Sequence, residues 1–102
     1  MAEPICITVR AEHIYEVHIG TGCINLLPTM LTGAGRLAVI YQRPVLRWVE
    51  LVRAQLVDRG ALVVLIEVPE GEAAKSAAVL EECWQKLGDS GFTRNDAVIT
   101  VG

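Results

Sequence analysis

Six consecutive residues, Glu70-Gly71-Glu72-Ala73-Ala74-Lys75, bring two carboxylates, a glycine and a lysine into one short turn. The turn lies between an apolar run, Leu62 to Val68, and a helical pattern from about Ala74 to Leu87 that carries Val79, Leu80, Cys83, Trp84 and Leu87. Strand, polar turn and helix is the layout in which α/β proteins hold ligands, at the carboxyl ends of their strands. Gly71 lets the backbone turn sharply or approach a ligand closely. The N–H groups opening the next helix, expected at residues 73–76, lack intrahelical partners and suit an anion or a polar ligand edge. Glu72 can accept from ligand hydroxyls, and Lys75 can donate to a ligand oxygen. A structural use is also open to them. Glu72 can serve as an acid at a helix start, worth about 0.3–1 kcal/mol, while Lys75 points to water.

Other candidates are weaker. Gly20-Thr21-Gly22-Cys23-Ile24-Asn25 matches two glycines of G-x-G-x-x-G, but Asn25 replaces the third and no βαβ unit begins there. Gly33-Ala34-Gly35 precedes a strand, the wrong order for a dinucleotide fingerprint. Both read as turns. Thr93-Arg94-Asn95-Asp96 suits a polar turn in which Asp96 bonds its own backbone. Trp48 and Trp84 occupy helical positions and are expected as core or helix–sheet contacts. His13 and His18 lie near a predicted hairpin, share no helix face and have no carboxylate cluster beside them. They are expected as surface residues, not metal ligands. Cys6, Cys23 and Cys83 are odd in number and widely spaced, with no C-x-x-C, which fits reduced core thiols.

The elements that must position these residues are legible as patterns. Ile5 to Val9 and Tyr15 to Ile19 are β-rich and predict an antiparallel hairpin. Gly20-Thr21-Gly22 leads into a short helix with Leu27, Met30 and Leu31 at helical spacing and Pro28 in its first turn. Leu37 to Tyr41 predicts a strand, and Pro44 sits where the next helix can begin. Val45, Val49, Val52 and Leu56 form one face of that helix, which should end near Gly60. Leu62 to Val68 and Ala97 to Val101 supply two further apolar strands. The expected fold is α/β: an N-terminal β-hairpin followed by a Rossmann-like parallel βαβαβ sheet, within one domain over residues 1–102. A strand buried on both faces should lead into a covering helix, so the abrupt end predicts the front part of something longer, with exposed apolar surface on the Ala97–Val101 strand.

With 102 residues there is room for one core. Hydrophobic residues at 52% and charged residues at 21% suit an ordered globular chain. A net charge of −3, scattered Lys and Arg, and few aromatics argue against a nucleic-acid surface. No apolar run approaches the roughly 20 residues needed to span a bilayer. The first residues lack the zones of a signal peptide, so a cytoplasmic location is expected.

Three ordered motifs together resemble a known family. Tyr15-x-Val17-x-Ile19-Gly20-x-Gly22, then Val68-Pro69-Glu70-Gly71-Glu72-x-x-Lys75-Ser76, then Gly91-Phe92-Thr93-Arg94-x-Asp96-x-Val98-Ile99-x-Val101-Gly102 resemble, in order and spacing, the N-terminal part of 3-dehydroquinate synthase. The resemblance implies an enzyme that uses NAD and a divalent metal (zinc or cobalt) to convert 3-deoxy-arabino-heptulosonate 7-phosphate to 3-dehydroquinate and phosphate. It implies that Glu70, Gly71, Glu72, Ala73, Ala74 and Lys75 line the nucleotide site, with Glu72 and Lys75 as principal side-chain contacts. Gly102 would open the glycine run that holds the NAD pyrophosphate. The family commonly places an aspartate, and two residues later an asparagine, at the end of its first parallel strand for the adenosine ribose. Here the segment is Tyr41-Gln42-Arg43, leaving Gln42 for a ribose hydroxyl. The resemblance puts the metal ligands, one Glu and two His, and most catalytic groups in a later domain, so no catalytic or metal residue is expected here and the isolated chain should be inactive. It also implies a homodimer. Sister sugar-phosphate cyclases, metal-dependent polyol dehydrogenases, or a stand-alone nucleotide- or partner-binding α/β module remain the alternatives.

Overall fold

Helices cover both faces of a small parallel sheet, while a separate hairpin stands apart from that core. A computed structural model describes residues 4–102. Strands β1 (Ile5–Arg10) and β2 (Ile14–Ile19) pair antiparallel as a two-stranded sheet of their own. Gly22, in the left-handed region at φ 80°, opens a single 3-10 turn that runs into the short helix α1 (Leu27–Met30). Then come β3 (Arg36–Tyr41), α2 (Leu46–Asp58), β4 (Leu62–Glu67), α3 (Ala77–Asp89) and β5 (Ala97–Val101). The three later strands are parallel in the order β4-β3-β5. The expected α/β fold is present, with the hairpin as a second sheet.

Strand alternation divides the core in two. Leu37, Val39 and Tyr41 of β3 pack with Val49, Val52 and Leu56 of α2, joined by Ile24 and Leu27 and by Val63, Leu65, Ile99 and Val101. Ala38, on the opposite face of β3, packs with Ile66 of β4 and Cys83 of α3, backed by Val79, Leu87 and Phe92. A strand covered on both faces needs apolar residues at each covered position, which is why β3 is apolar from Leu37 to Tyr41 after the exposed Arg36. Each fully buried aliphatic side chain of this kind contributes about 1.5–3 kcal/mol by leaving water. On β5 the coverage is one-sided: Ala97, Ile99 and Val101 face the α2 layer, whereas Val98 is 50% exposed. The expected apolar exposure on this strand is therefore present.

Both long helices stop in the same way. At the end of α2 the Gly60 N–H donates to Val57 O and the Ala61 N–H to Leu56 O, and at the end of α3 Gly91 and Phe92 donate to Gly88 and Leu87. These are paired Schellman bonds, and they require the left-handed φ of 93° at Gly60 and 74° at Gly91. Helix α3 begins at Ala77, three residues later than its pattern suggests, because Ser76 caps it by accepting from the Val79 N–H at 3.2 Å.

Two further expectations are corrected. Trp48 and Trp84 are 44% and 64% exposed rather than core contacts. Each adjoins a buried residue, Trp48 just before Val49 and Trp84 just after Cys83, and so lies off the packed face of its helix. The Arg47 guanidinium covers the Trp48 ring at 4.7 Å from its centroid. Of the three thiols only Cys83 is in the core; Cys6 is exposed and Cys23 partly buried.

Candidate functional site

Where β3 stops, the chain turns through Gln42, Arg43 and Pro44 into α2 over one face of the sheet. Where β4 stops, the chain crosses back by α3, which packs on the other face, and β5 then forms on the far side of β3. The two connections therefore part company at the carboxyl ends of β3 and β5. A crevice opens at such a switch point because no loop closes it. Here it is a cleft of about 350 Å³, near the lower end of the roughly 300–1,000 Å³ typical of ligand pockets.

The walls come from all three strand ends. Ile40, Tyr41, Gln42, Pro44 and Val45 close one side, Val68 stands just past the end of β4, and Thr100, Val101 and Gly102 form the side of β5. The lining is mainly apolar, with Gln42, Thr100 and the Tyr41 phenol as its polar side-chain groups. Pairing fixes this geometry: Tyr41 stands beside Glu67 on one side and Val101 on the other, and the Val68 N–H donates to Tyr41 O at 2.9 Å. Outside the wall, Arg43 Nη1 donates to Glu67 Oε1 at 3.2 Å, tying the β3 turn to the end of β4. Burial, and then the Glu67 carboxylate, push the Tyr41 phenol above its ordinary range, so it stays neutral.

Of the residues singled out from sequence, the fold brings Gln42 and Gly102 together in this cleft. The Glu70–Lys75 turn follows Val68 at the same end of the sheet but stands outside the lining. It forms a single 3-10 turn over Gly71–Ala74, with Gly71 at φ 65°. Glu72 neither caps a helix nor stands alone. Its Oε1 accepts from Lys75 Nζ at 3.2 Å, and both side chains are largely exposed. Since α3 starts at Ala77, its free opening N–H groups belong to Ala77 and Ala78 rather than to residues 73–76.

Asp96 is the turn residue that its surroundings suggested, with an added role. Its carboxylate accepts from the Thr93 N–H at 2.8 Å and, across sixty positions of sequence, from the Arg36 N–H at 3.0 Å. It thus ties the start of β5 to the start of β3. The bond from the Thr93 backbone, with smaller help from Arg36, holds this carboxyl below its ordinary pKa.

Sequence reasoning missed the cleft's other walls, Ile40, Tyr41, Pro44, Val45, Val68, Thr100 and Val101. The signal was positional: each falls at or just beyond the carboxyl end of a parallel strand. His18 also departs from expectation, since Glu16 Oε2 lies 3.1 Å from its Nε2. No helix among the described residues is long and apolar enough to cross a membrane.

No family model matches the chain. Individual relatives do. The chain is 39% identical over 102 residues to the 3-dehydroquinate synthase of Rhodococcus opacus, covering 100% of this chain and 28% of that protein. The 3-dehydroquinate synthase of Nocardia farcinica is 41% identical over 106 residues with the same coverage, and that of Saccharopolyspora erythraea 36% over 102 residues. From end to end, the chain is homologous to part of 3-dehydroquinate synthase. It spans about 28% of the length of these relatives.

The resemblance implies NAD and a divalent metal, and the residues present treat the two differently. An apolar cleft with an amide side chain at one wall suits part of a dinucleotide. A ligand set of one Glu and two His is not assembled among the described residues, where the group of three potential ligands is Cys6, Glu16 and His18.

Proposed function

We propose that this chain is the NAD-holding part of a 3-dehydroquinate synthase, a phosphate-eliminating lyase of the shikimate pathway. In this reading it acts with a metal-bearing remainder on 3-deoxy-arabino-heptulosonate 7-phosphate, in the cytoplasm and as a homodimer. The observation that carries the reading is the cleft at the β3/β5 switch point, which joins Gln42 and Gly102 in a chain homologous throughout to this enzyme. The names of the relatives favour this member over its sister cyclases.

When bound, NAD supplies a hydride acceptor. The work of the chain's own residues is to bind and orient. Gln42 donates its amide N–H, or offers its oxygen, to a ribose hydroxyl. Gly102, with no side chain, lets its own backbone N–H approach a pyrophosphate closely. Tyr41, Val45, Val68 and Val101 exclude water from one face of the nucleotide. Glu70, Gly71, Glu72, Ala73, Ala74 and Lys75 form a rim beyond the cleft. There the Glu72–Lys75 pair opens, Glu72 accepting from hydroxyls and Lys75 donating to a ligand oxygen.

Calorimetric titration of the chain with NAD tests this. Saturable binding is expected, weakened about three- to tenfold by Gln42→Ala, since one lost hydrogen bond costs about 0.5–1.5 kcal/mol. Absence of saturable binding, or an unchanged affinity in the variant, would overturn the assignment. Dehydroquinate formation by the chain alone would overturn the expected inactivity.

A further inference from the structure

The hairpin carries three ligand-forming groups that the cleft does not use. Cys6 and His18 stand directly opposite each other in the β1–β2 register. Glu16 lies two residues before His18 on β2, so all three side chains project from the same face. The ligand atoms they offer all lie within 4.8 Å of one another. His18 is the most sheltered of them, with its side chain 23% exposed and Nε2 3.1 Å from Glu16 Oε2.

We propose that Cys6, Glu16 and His18 form a binding site for a zinc-class divalent transition-metal ion. A tetrahedral zinc with Zn–S about 2.3 Å and Zn–N and Zn–O about 2.0–2.2 Å holds its donors roughly 3.3–3.7 Å apart. With their ligand atoms within 4.8 Å of one another, the three groups come to that separation by rotation about side-chain bonds. Thiolate with imidazole and one carboxylate selects zinc or cobalt over magnesium or calcium, which take oxygen ligands alone. On binding, the Cys6 thiol loses its proton to solvent, and its sulfur donates an electron pair to the ion. The His18 proton that faces Glu16 moves from Nε2 to Nδ1 by exchange with solvent, Nε2 and a Glu16 oxygen then each donate a lone pair, and the present His18–Glu16 contact is replaced by two bonds to the metal. One proton is released per ion from the thiol. Three protein ligands leave a fourth position for water or an outside donor. The ion would bridge the two strands, and a two-stranded hairpin is at best marginal in water without such help.

Titration of the reduced 102-residue chain with Co²⁺ at neutral pH is the test. Saturation at one equivalent is expected, with a thiolate-to-cobalt charge-transfer band and the strong visible bands of four-coordination, both removed by added Zn²⁺. Cys6→Ser should abolish the charge-transfer band and Cys23→Ser should keep it. Glu16→Gln and His18→Gln should weaken Co²⁺ binding by about tenfold or more, since losing even an outer partner of a metal ligand costs that much. No charge-transfer band in the parent chain, or a band that survives Cys6→Ser, overturns the site. If Cys6→Ser loses its native circular dichroism, Glu16→Gln decides: an unchanged Co²⁺ affinity there refutes the proposal.

Discussion

The hairpin and the parallel sheet are built from equally β-rich sequence, yet they bury it very differently. In β3 four of six residues are buried, and Leu37, Ala38 and Val39 are wholly inaccessible. In β1 and β2 together, Val9 and His18 reach only partial burial, while Ile5, Ile7, Tyr15, Val17 and Ile19 lie open on one face. The difference lies in the layers and not in the residues. Parallel strands come with crossover helices that cover them, whereas a hairpin made by a short turn brings no cover of its own. Stability should therefore concentrate in the sheet, and substitutions can test that contrast.

The largest effect belongs to the α2 face. Leu56 is fully buried among Leu37, Val39, Val49 and Val52. Leu56→Ala removes that contact area and leaves a cavity, with an expected loss of about 2–5 kcal/mol in urea unfolding. A loss below the lower figure would mean that the α2 layer collapses onto the space, and that the sheet is less tightly covered than its burial indicates. A smaller effect is expected on the other layer, where Ser76 caps α3. Ser76→Ala leaves the Val79 N–H without its partner and should cost about 1 kcal/mol by the same measurement.

The Asp96 tie gives an effect confined to acid. Its folded carboxyl titrates below its ordinary value, so its contribution is complete above that value. The contribution is lost as pH falls through the lowered one, when the carboxyl accepts a proton in the folded state. Unfolding midpoints recorded against pH should show this loss in the parent chain, and Asp96→Asn should flatten that part of the curve. An unchanged acid limb would show that the β3–β5 tie adds nothing to the sheet.

How much of this was legible follows from how local each signal is. The β3 run is readable because double coverage demands apolar residues, β4 and β5 because their short apolar runs sit between turn residues, and the α2 face because Val49, Val52 and Leu56 step with the helix. The Schellman ends show as Gly60 and Gly91. The α3 start was misplaced because Ala73 and Ala74 favour helix, while Ser76 makes a better boundary only once its hydroxyl reaches the Val79 N–H. Trp48 and Trp84 look like core by residue type, but the faces they share with Arg47 and Gln85 leave them outside. The cleft escaped because its walls come from the ends of three strands that only pairing brings together. The Cys6–His18 juxtaposition likewise depends on cross-strand register, which a two-residue shift along the strand would abolish while keeping the same alternation.

The smallest effect should come from the hairpin's apolar face, and it is the sharpest test of the contrast. Ile7 lies opposite Val17 and is 46% exposed. Ile7→Ala removes one cross-strand contact but opens no cavity, because no element among the described residues covers that face. Its cost in urea unfolding should stay within about 0.5 kcal/mol, the range of ordinary surface substitutions. The same aliphatic truncation would then differ several-fold between hairpin and sheet. A cost approaching that of Leu56→Ala would mean that in solution the Ile5–Ile7–Val17–Ile19 face is covered. In that case its side chains would belong to an interface, and the measured stability would rise with protein concentration if the cover were a second copy of the chain.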